Sequence, residues 1–509
     1  MDRLIAGLKS FLPGPAAAIL LLLCTNAVPA PAQPARPRPT VAVLPLDNAS
    51  GEADQEYLAD GLTDEIAYAL TGAPGVGVVA RSSAFRFKEG NRDLRAIGKA
   101  LNATYLVQGT ARLVADRVRI NVWLVEADTG VQLWSQDYYT ELPNIFDIEE
   151  DAAENISAAL KAQIPAGTML VRNRTQTIEA YQDFLRAKVA GRARGAQALA
   201  DSAKILETVV AREPDYAPAA AMLAYDDALI PLFQQALRSN APDQERQIVE
   251  RTIPKADALA RAAVQHDPKG ADGYVALGYA NLVQRKMIAA EDAFKQALAL
   301  DPNQADGLHG YSQFLAAMGK IKESLVMRDH LQAIEQFIVN YTADTAEIVW
   351  LDGDTDKALA MLQPFRPGRT LEMALIQASA GRYKESAALI REMPATNYFP
   401  GFTENAAKVL ESAPVKAASE SLPKLGSMSF AYMHVGAPER VLEFYEDEIK
   451  AGYFQPISAT WFWHPSYAAV RKTERFKKLA RDLGMVDYWR ARGWPAQCRP
   501  MGADDFVCD

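Results

Sequence analysis

Histidine and cysteine are scarce here, with five and three in 509 residues. The histidines, His266, His309, His330, His434 and His464, have no ligand spacing, and neither an HExxH nor a CxxC motif occurs. A metal framework is therefore not expected. Phosphate-binding fingerprints are missing as well: there is no GxxxxGK[ST] sequence, and Gly72, Gly75 and Gly77 are spaced wrongly for a dinucleotide loop, which leaves them to shape a helix-to-strand turn. Basic charge is short too. The 54 Lys and Arg face 63 Asp and Glu, a formal charge of −9, whereas a nucleic-acid face needs a local basic excess.

Catalytic settings are equally thin. Ser50, Ser82 and Ser83 lack the glycine-flanked environment of a nucleophile. Asp60, Asp64 and Glu65 read as a solvated helix surface, and Arg81, Arg86 and Lys88 as an ordinary charged edge. The expectation is a chain without cofactor, metal or catalytic residue, and so not an enzyme.

Long apolar runs are also rare. Ala16 to Leu23 is one, but it is short for a membrane span and follows Pro13 and Pro15. With Arg3 and Lys9 before it and Ala30-Pro31-Ala32 after it, residues 1–32 read as a secretory signal that places the protein in a bacterial periplasm. An uncleaved inner-membrane anchor facing the periplasm is the alternative, and a lipoprotein site at Cys24 is disfavoured by the bulk of Leu23. Cys498 and Cys508 then remain, either joined as a disulfide in an oxidising compartment or left as two thiols on a tail.

What the chain does have is two kinds of pattern. Residues 33–39, QPARPRP, form a proline-rich spacer. Thr40 to Leu46 is then a β-branched strand, Tyr57 to Leu70 a helix with Leu58, Leu62, Ile66 and Leu70 on one face, Val76 to Arg81 a strand, and Asp93 to Asn102 a helix. Tyr105 to Val114, Arg117 to Glu126 and Gln132 to Tyr138 follow as antiparallel strands, with Val118, Ile120 and Val122 alternating against Arg117, Arg119 and Asn121. A helix from Ile145 to about Ile164 covers the apolar face. The ordered segments VAVLPLDN, EYLADGLTDEIAYAL, VVARSSAFRFK, YLVQGTAR, RVRINVWLVEADTG and LWSQDY resemble the TolB-like amino-terminal domain. In that family the domain often stands beside helical repeats, behind a membrane segment and a cytoplasmic adenylate cyclase or DNA-binding domain. A signal-like leader occupies that place here, so such a part is expected to be absent.

After Pro165-Ala166-Gly167 the period turns helical. Tyr274, Leu277 and Gly278 share a face of one helix, and Ala290, Phe294 and Ala297 a face of the next, with Lys286 and Met287 at the turn. The triplets ending in Pro268 and Pro302 repeat at an offset of 34 residues, which resembles the tetratricopeptide repeat family. Within 214–268, Ala219 to Leu237 and Glu245 to His266 read as a long-armed helical pair around an irregular connection, 394–425 reads as loose, and Phe430 to Met433 with Pro438 to Lys450 reads as one more helical pair. The scattered methionines, among them Met222, Met287, Met318 and Met373, read as gap-filling core. From Trp461 onward, Tyr467, Val470, Phe476, Leu479, Leu483, Tyr488 and Trp489 are expected to cover the open end of the last hairpin.

The expected fold is multidomain: a small α+β TolB-like domain over 40–165, an all-α tetratricopeptide-like solenoid over 166–460, and a helical cap and tail over 461–509. Such arrays bind partners along a concave face built from the first helix of each hairpin. By helix phase that face carries Asp272, Val275, Tyr279, Asn281, Leu282 and Gln284, then His309 and Gln313. The functional expectation is an exported scaffold that binds a protein or peptide, with the α+β domain docking an envelope component. Two alternatives stand beside it: a homo-oligomerisation module, and a membrane-tethered sensor partnering a separate cyclase or transcription regulator.

Overall fold

The computed structural model describes residues 39–509 apart from 74, 90–92, 116, 161–173, 234–241, 336–337, 395–400 and 451–458. The expected leader, most of the spacer and the boundary at 165–167 lie outside the described residues. Residues 39–509 form one compact unit. Among the described residues no helix is long and apolar enough to cross a membrane.

The unbroken apolar run after Pro39 makes strand β1 (Thr40–Val43) buried on both faces: Val41 and Val43 point into one core, Ala42 into another. It pairs in parallel with β3 (Gly77–Val78) and β4 (Tyr105–Val114), while β2 (Asp47–Asn48) pairs with β4. Strands β4, β5 (Arg117–Glu126) and β6 (Gln132–Glu141) continue the sheet antiparallel, giving the order β3-β1-β4-β5-β6. Their alternation behaves as polarity requires. Val118, Ile120, Val122 and Leu124 are fully buried beneath α1 (Glu56–Thr71) and α4 (Ile145–Ala159), while Arg117 and Arg119 face water. The segment expected as one strand from Val76 to Arg81 is instead the short β3 followed by α2 (Arg81–Phe85). Helix α3 (Leu94–Leu101) starts where Asp93 accepts the backbone N–H groups of Arg95 and Ala96.

The helical part begins at α5 (Ile178–Gly191) and α6 (Ala196–Arg212). Glu213, just past α6, accepts the backbone N–H groups of Gln176 and Thr177 at 2.8 Å each, which ties the start of one helix to the end of the next. Helix α5 also lies on the sheet region. Leu185 fills the space over Gly61, where an added Cβ would meet it at 2.5 Å, and Lys188 pairs with Glu65 at 2.6 Å. The core beneath the sheet accordingly runs on into Tyr181, Leu206 and Val209.

Antiparallel pairs follow in sequence: α7 (Ala217–Phe233) with α8 (Pro242–His266), α9 (Ala271–Val283) with α10 (Met287–Leu300), and α11 (Ala305–Ala317) with α12 (Ile321–Ile334). Then come α13 (Val339–Leu351) with α14 (Thr355–Leu362) and α15 (Thr370–Ser379) with α16 (Tyr383–Glu392). The reversals at Gly319, Gly353 and Gly381 are left-handed, and Arg285 takes the same conformation, φ 62°, at the α9–α10 turn. Phe294 packs between two hairpins because Gly278 and Gly310 leave room for its ring; a Cβ would come within 2.6 Å and 2.7 Å of it. This succession of stacked helix pairs is the tetratricopeptide-like part of the fold.

Three expectations change beyond it. Within the stretch read as loose, α17 (Phe402–Ser412) forms and buries Ala406, Ala407, Val409 and Leu410. The helix expected at Phe430 to Met433 is a 3-10 segment, Gly426–Val435, ahead of α18 (Leu442–Lys450). The closing segment is not wholly helical: α19 (Ala468–Arg471), α20 (Glu474–Asp482) and α21 (Met485–Arg492) lead into a hairpin of β7 (Cys498–Met501) and β8 (Asp505–Cys508).

Nor does that segment lie only over the last hairpin. It folds back to the middle of the array, where the indole N–H groups of Trp463 and Trp489 donate to the carbonyls of Ala317 and Met318 at 2.8 and 3.1 Å. These carbonyls belong to the C-terminal end of α11 and its turn, which a helix leaves without internal partners, so the tryptophans satisfy them while burying their rings.

Candidate functional site

The first helices α7, α9, α11, α13 and α15 turn one face toward a cavity of about 1030 Å³. One wall comes from the segment around α2, including Arg81 and Ser82, and another from Phe444 and Trp461. The first wall is fixed. Ala80 N–H donates to the carbonyl of Ile334 at 3.2 Å, and the hydroxyls of Ser82 and Ser83 both donate to the buried Glu335 carboxylate.

Of the residues placed on the concave face by helix phase, Asp272, Val275, Tyr279, Leu282, His309 and Gln313 line this cavity. Asn281 and Gln284 do not. Asn281 is buried elsewhere in the helix packing, and the Gln284 amide donates to Asp257 and to the Ala280 carbonyl. Cys498 and Cys508 sit opposite one another in the β7–β8 hairpin and are joined as a disulfide, remote in sequence from the cavity-lining residues.

The centre of the site is Asp306. Arg194, reaching in from the α5–α6 loop, donates to it at 2.7 Å, and the hydroxyls of Tyr341 and Tyr225 donate at 2.6 and 2.8 Å. Burial pushes this carboxyl up, but the Arg194 charge and the three donors outweigh it and hold the group well below the usual carboxylate range. The neighbouring carboxyls behave in the opposite way. Asp226 is pushed up to about 7 by burial, with the Ser202 hydroxyl donating at 2.6 Å. Asp344 and Glu347, one turn apart on α13, are also raised by burial; for Glu347 the nearby Glu372 and Asp344 charges add to the effect.

His309 lies against the Tyr341 ring at 4.4 Å and accepts from Arg328 through Nδ1 at 3.0 Å. That acceptance puts the ring proton on Nε2, which stands 3.5 Å from the Asp344 carboxylate. Burial, then the Arg328 charge, keeps this histidine neutral. The lining thus carries eight carboxylates against five Lys and Arg, together with several aromatic surfaces.

Some of these residues escaped the sequence. Asp60 and Asp64, expected on a solvated surface, are buried and ion-paired: Asp60 with Lys88 at 2.6 Å and Arg192 at 2.8 Å, Asp64 with Arg81 at 3.2 Å. A signal for the cavity carboxylates was present in the repeat itself. Ala-Asp-Gly recurs at 271–273 and 305–307, placing Asp272 and Asp306 at equivalent points of successive hairpins.

No family model matches the chain. A curated protein of Rhizobium meliloti (strain 1021), putative adenylate cyclase 3, is 31% identical over 269 residues, covering 52% of this chain. The chain spans less than half of that relative, 44% of its length. This match corrects the expectation that the chain is not an enzyme: a relative bearing a cyclase name means that the lack of a familiar catalytic motif excludes nothing.

Among solved structures, TTC0263, a thermophilic TPR protein of Thermus thermophilus, is 16% identical, with 42% of this chain and 98% of that one covered at a TM-score of 0.29. YrrB, a TPR protein described with an unusual peptide-binding site, is 13% identical with 40% and 98% covered at 0.27. The human IFIT1 dimer with m7Gppp-AAAA is 12% identical with 69% and 72% covered at 0.38. Scores of this size carry no functional weight, and the tetratricopeptide-like character rests on the helix pairing within this chain.

Proposed function

We propose that the chain is a binding scaffold that holds an extended protein or peptide segment in the cavity along α7, α9, α11, α13 and α15. The observation that carries this reading is the cavity itself: a space of about 1030 Å³ is lined by successive first helices, whose packing fixes the side chains before anything binds. The sheet region, TolB-like in its sequence segments, would dock an envelope component after export to the periplasm, so that residues 40–165 and 166–460 divide the labour. A photo-crosslinking amino acid at Gln313, inside the cavity, tests the reading against one at Lys295, exposed on the second helix α10. Polypeptide adducts from position 313 and not from 295 are expected in the host cell. Adducts only from 295 would retire the groove.

A second reading is favoured by the similarity to putative adenylate cyclase 3: the scaffold serves a cyclic-nucleotide system, either by regulating a cyclase or as part of one. Cyclic AMP should then change in cells carrying a cavity variant such as Asp306→Asn. Unchanged levels would remove this reading and leave the scaffold.

A further inference from the structure

Carboxylates come to the cavity from one first helix after another: Asp226 on α7, Asp272 on α9, Asp306 on α11, Asp344 and Glu347 on α13. Asp306 already has its cation in Arg194. The other four are met at hydrogen-bond distance by neutral donors: the Ser202 hydroxyl on Asp226, the Gln304 amide on Asp272 at 2.8 Å, the Gln313 amide on Asp344 at 2.9 Å and the Trp461 indole on Glu347 at 3.0 Å. An ionised carboxylate has about four acceptor positions, so most of this capacity is open.

The other cavity cations make their direct bonds to other carboxylates, although the Arg369 charge is felt at Asp344 and Glu347 and the Arg81 charge at Asp272. Arg369 donates to Glu372 at 3.1 Å, Lys188 to Glu65, and Arg192 to Asp60. Asp64, which also lines the cavity with 1% exposure, is different: Arg81, Arg192 and Lys188 stand 3.2, 3.7 and 4.0 Å from its Oδ2, and only Oδ1 has no hydrogen-bond partner among the described residues.

Resting on the binding reading above, we propose that the segment held in this cavity is cationic, an extended polypeptide that places Lys or Arg side chains against Asp226, Asp272 and the Asp344–Glu347 pair. Ammonium and guanidinium groups bring several charged donors, whereas the donors at hydrogen-bond distance from these oxygens are neutral. The aromatic surfaces fit the same ligand: Tyr225 and Tyr279 lie edge to face at 5.5 Å on the wall, and Phe444 and Trp461 stand at the far end, where they can carry the alkyl stems and cationic heads of such side chains. Spacing adds a detail. Packed helices stand about 8–10 Å apart, and an extended chain in the polyproline-II conformation returns to the same face every three residues after about 9 Å, so a basic residue at every third position meets successive helices. The upward shift of Asp226, Asp344 and Glu347 agrees, since a bound cation would offset the burial that causes it.

The test is fluorescence anisotropy of the full chain with labelled acetyl-(Lys-Gly-Ser)4-amide, beside the same peptide with Glu or Gln in place of Lys. The lysine peptide should bind about tenfold more tightly than the glutamine peptide. Asp344→Asn with Glu347→Gln should remove that advantage, while Asp329→Asn, on the exposed side of α12, should keep it. Asp226→Asn gives a second reading from the other end of the cavity if the double variant fails to fold. Equal binding of the lysine and glutamine peptides overturns the inference, and so does lysine binding that survives both sets of substitutions, which marks attraction to the net charge alone. Crosslinking from position 313 to neutral or acidic segments overturns it while leaving the scaffold reading in place.

Discussion

The indole N–H of Trp461 donates to the buried carboxylate of Glu347 at 3.0 Å, joining residues 114 positions apart. One end of the cavity is thereby closed by the C-terminal segment rather than by another repeat. Trp461→Phe keeps most of the ring and removes the donor, leaving Glu347 with a charge raised further in energy by Glu372 and Asp344. A loss of about 2 kcal/mol in urea unfolding is expected, and adding Glu347→Gln should recover part of it. Full additivity of the two substitutions would mean that the bond carries no coupling.

Asp226 makes stability depend on pH in a direction unusual for a carboxylate. Its folded pKa, pushed up to about 7 by burial near Asp227 and Asp306 against the smaller pull of Arg194 and Ser202, lies above the unfolded value of about 3.9. Folding therefore takes up a proton between those values. The group's cost is absent below about pH 4 and grows as pH rises toward 7, reaching at most about 4 kcal/mol. Asp226→Asn, which retains the Ser202 contact in size and polarity, should raise the thermal midpoint at pH 8 and leave it unchanged near pH 4. An equal gain at both pH values would assign the effect to packing.

His464 acts in the same window with the opposite sign. It stacks on Trp350 at 4.1 Å, and Nδ1 accepts the Ser466 backbone N–H at 3.2 Å, so the ring is held neutral; burial, then the Arg471 charge, brings its pKa down to about 4. Its unfolded value is about 6.5, so its contribution is complete above that pH and is lost as pH falls toward 4, by at most about 3 kcal/mol. His464→Gln should flatten the acid limb of the stability profile. Thermal melts at half-unit pH steps, with Asp226→Asn as the companion, separate the two groups.

Gly278 faces the Phe294 ring with room for hydrogen alone, since a Cβ would stand 2.6 Å from it. Gly278→Ala gains helix propensity of about 1 kcal/mol but overpacks the hairpin at a cost of about 1–3 kcal/mol. A net loss is expected, with strong coupling to Phe294→Leu in a double-mutant cycle. Two independent losses would show that the ring shifts aside freely.

Local pattern reached much of this architecture. The alternation of Val118, Ile120 and Val122 identified the covered face of the sheet, and the recurrence ending at Pro268 and Pro302 identified the stacked hairpins. Within α9, period alone placed Val275, Tyr279 and Leu282 on one side, and they share the cavity wall. Asn281 is two residues from Tyr279, about 200° around the helix, so nearness in sequence misled there. Charge was the harder matter. Asp60 and Asp64 look solvated on α1 because, besides Lys88 and Arg81, the cation that approaches both of them is Arg192, which follows α5 more than a hundred residues later. No local window holds that pairing, just as none links Trp463 to the Ala317 carbonyl.

That last contact sets an order in time. The chain leaves the ribosome from its N-terminus, and the helices α11 and α13 are made long before Trp461, Trp463 and Trp489. Until those residues emerge, the Ala317 and Met318 carbonyls and the Glu347 carboxylate lack the indole donors found in the finished protein. The middle of the array is therefore completed last, and a nascent chain stopped short of residue 461 carries an unfinished centre between formed hairpins.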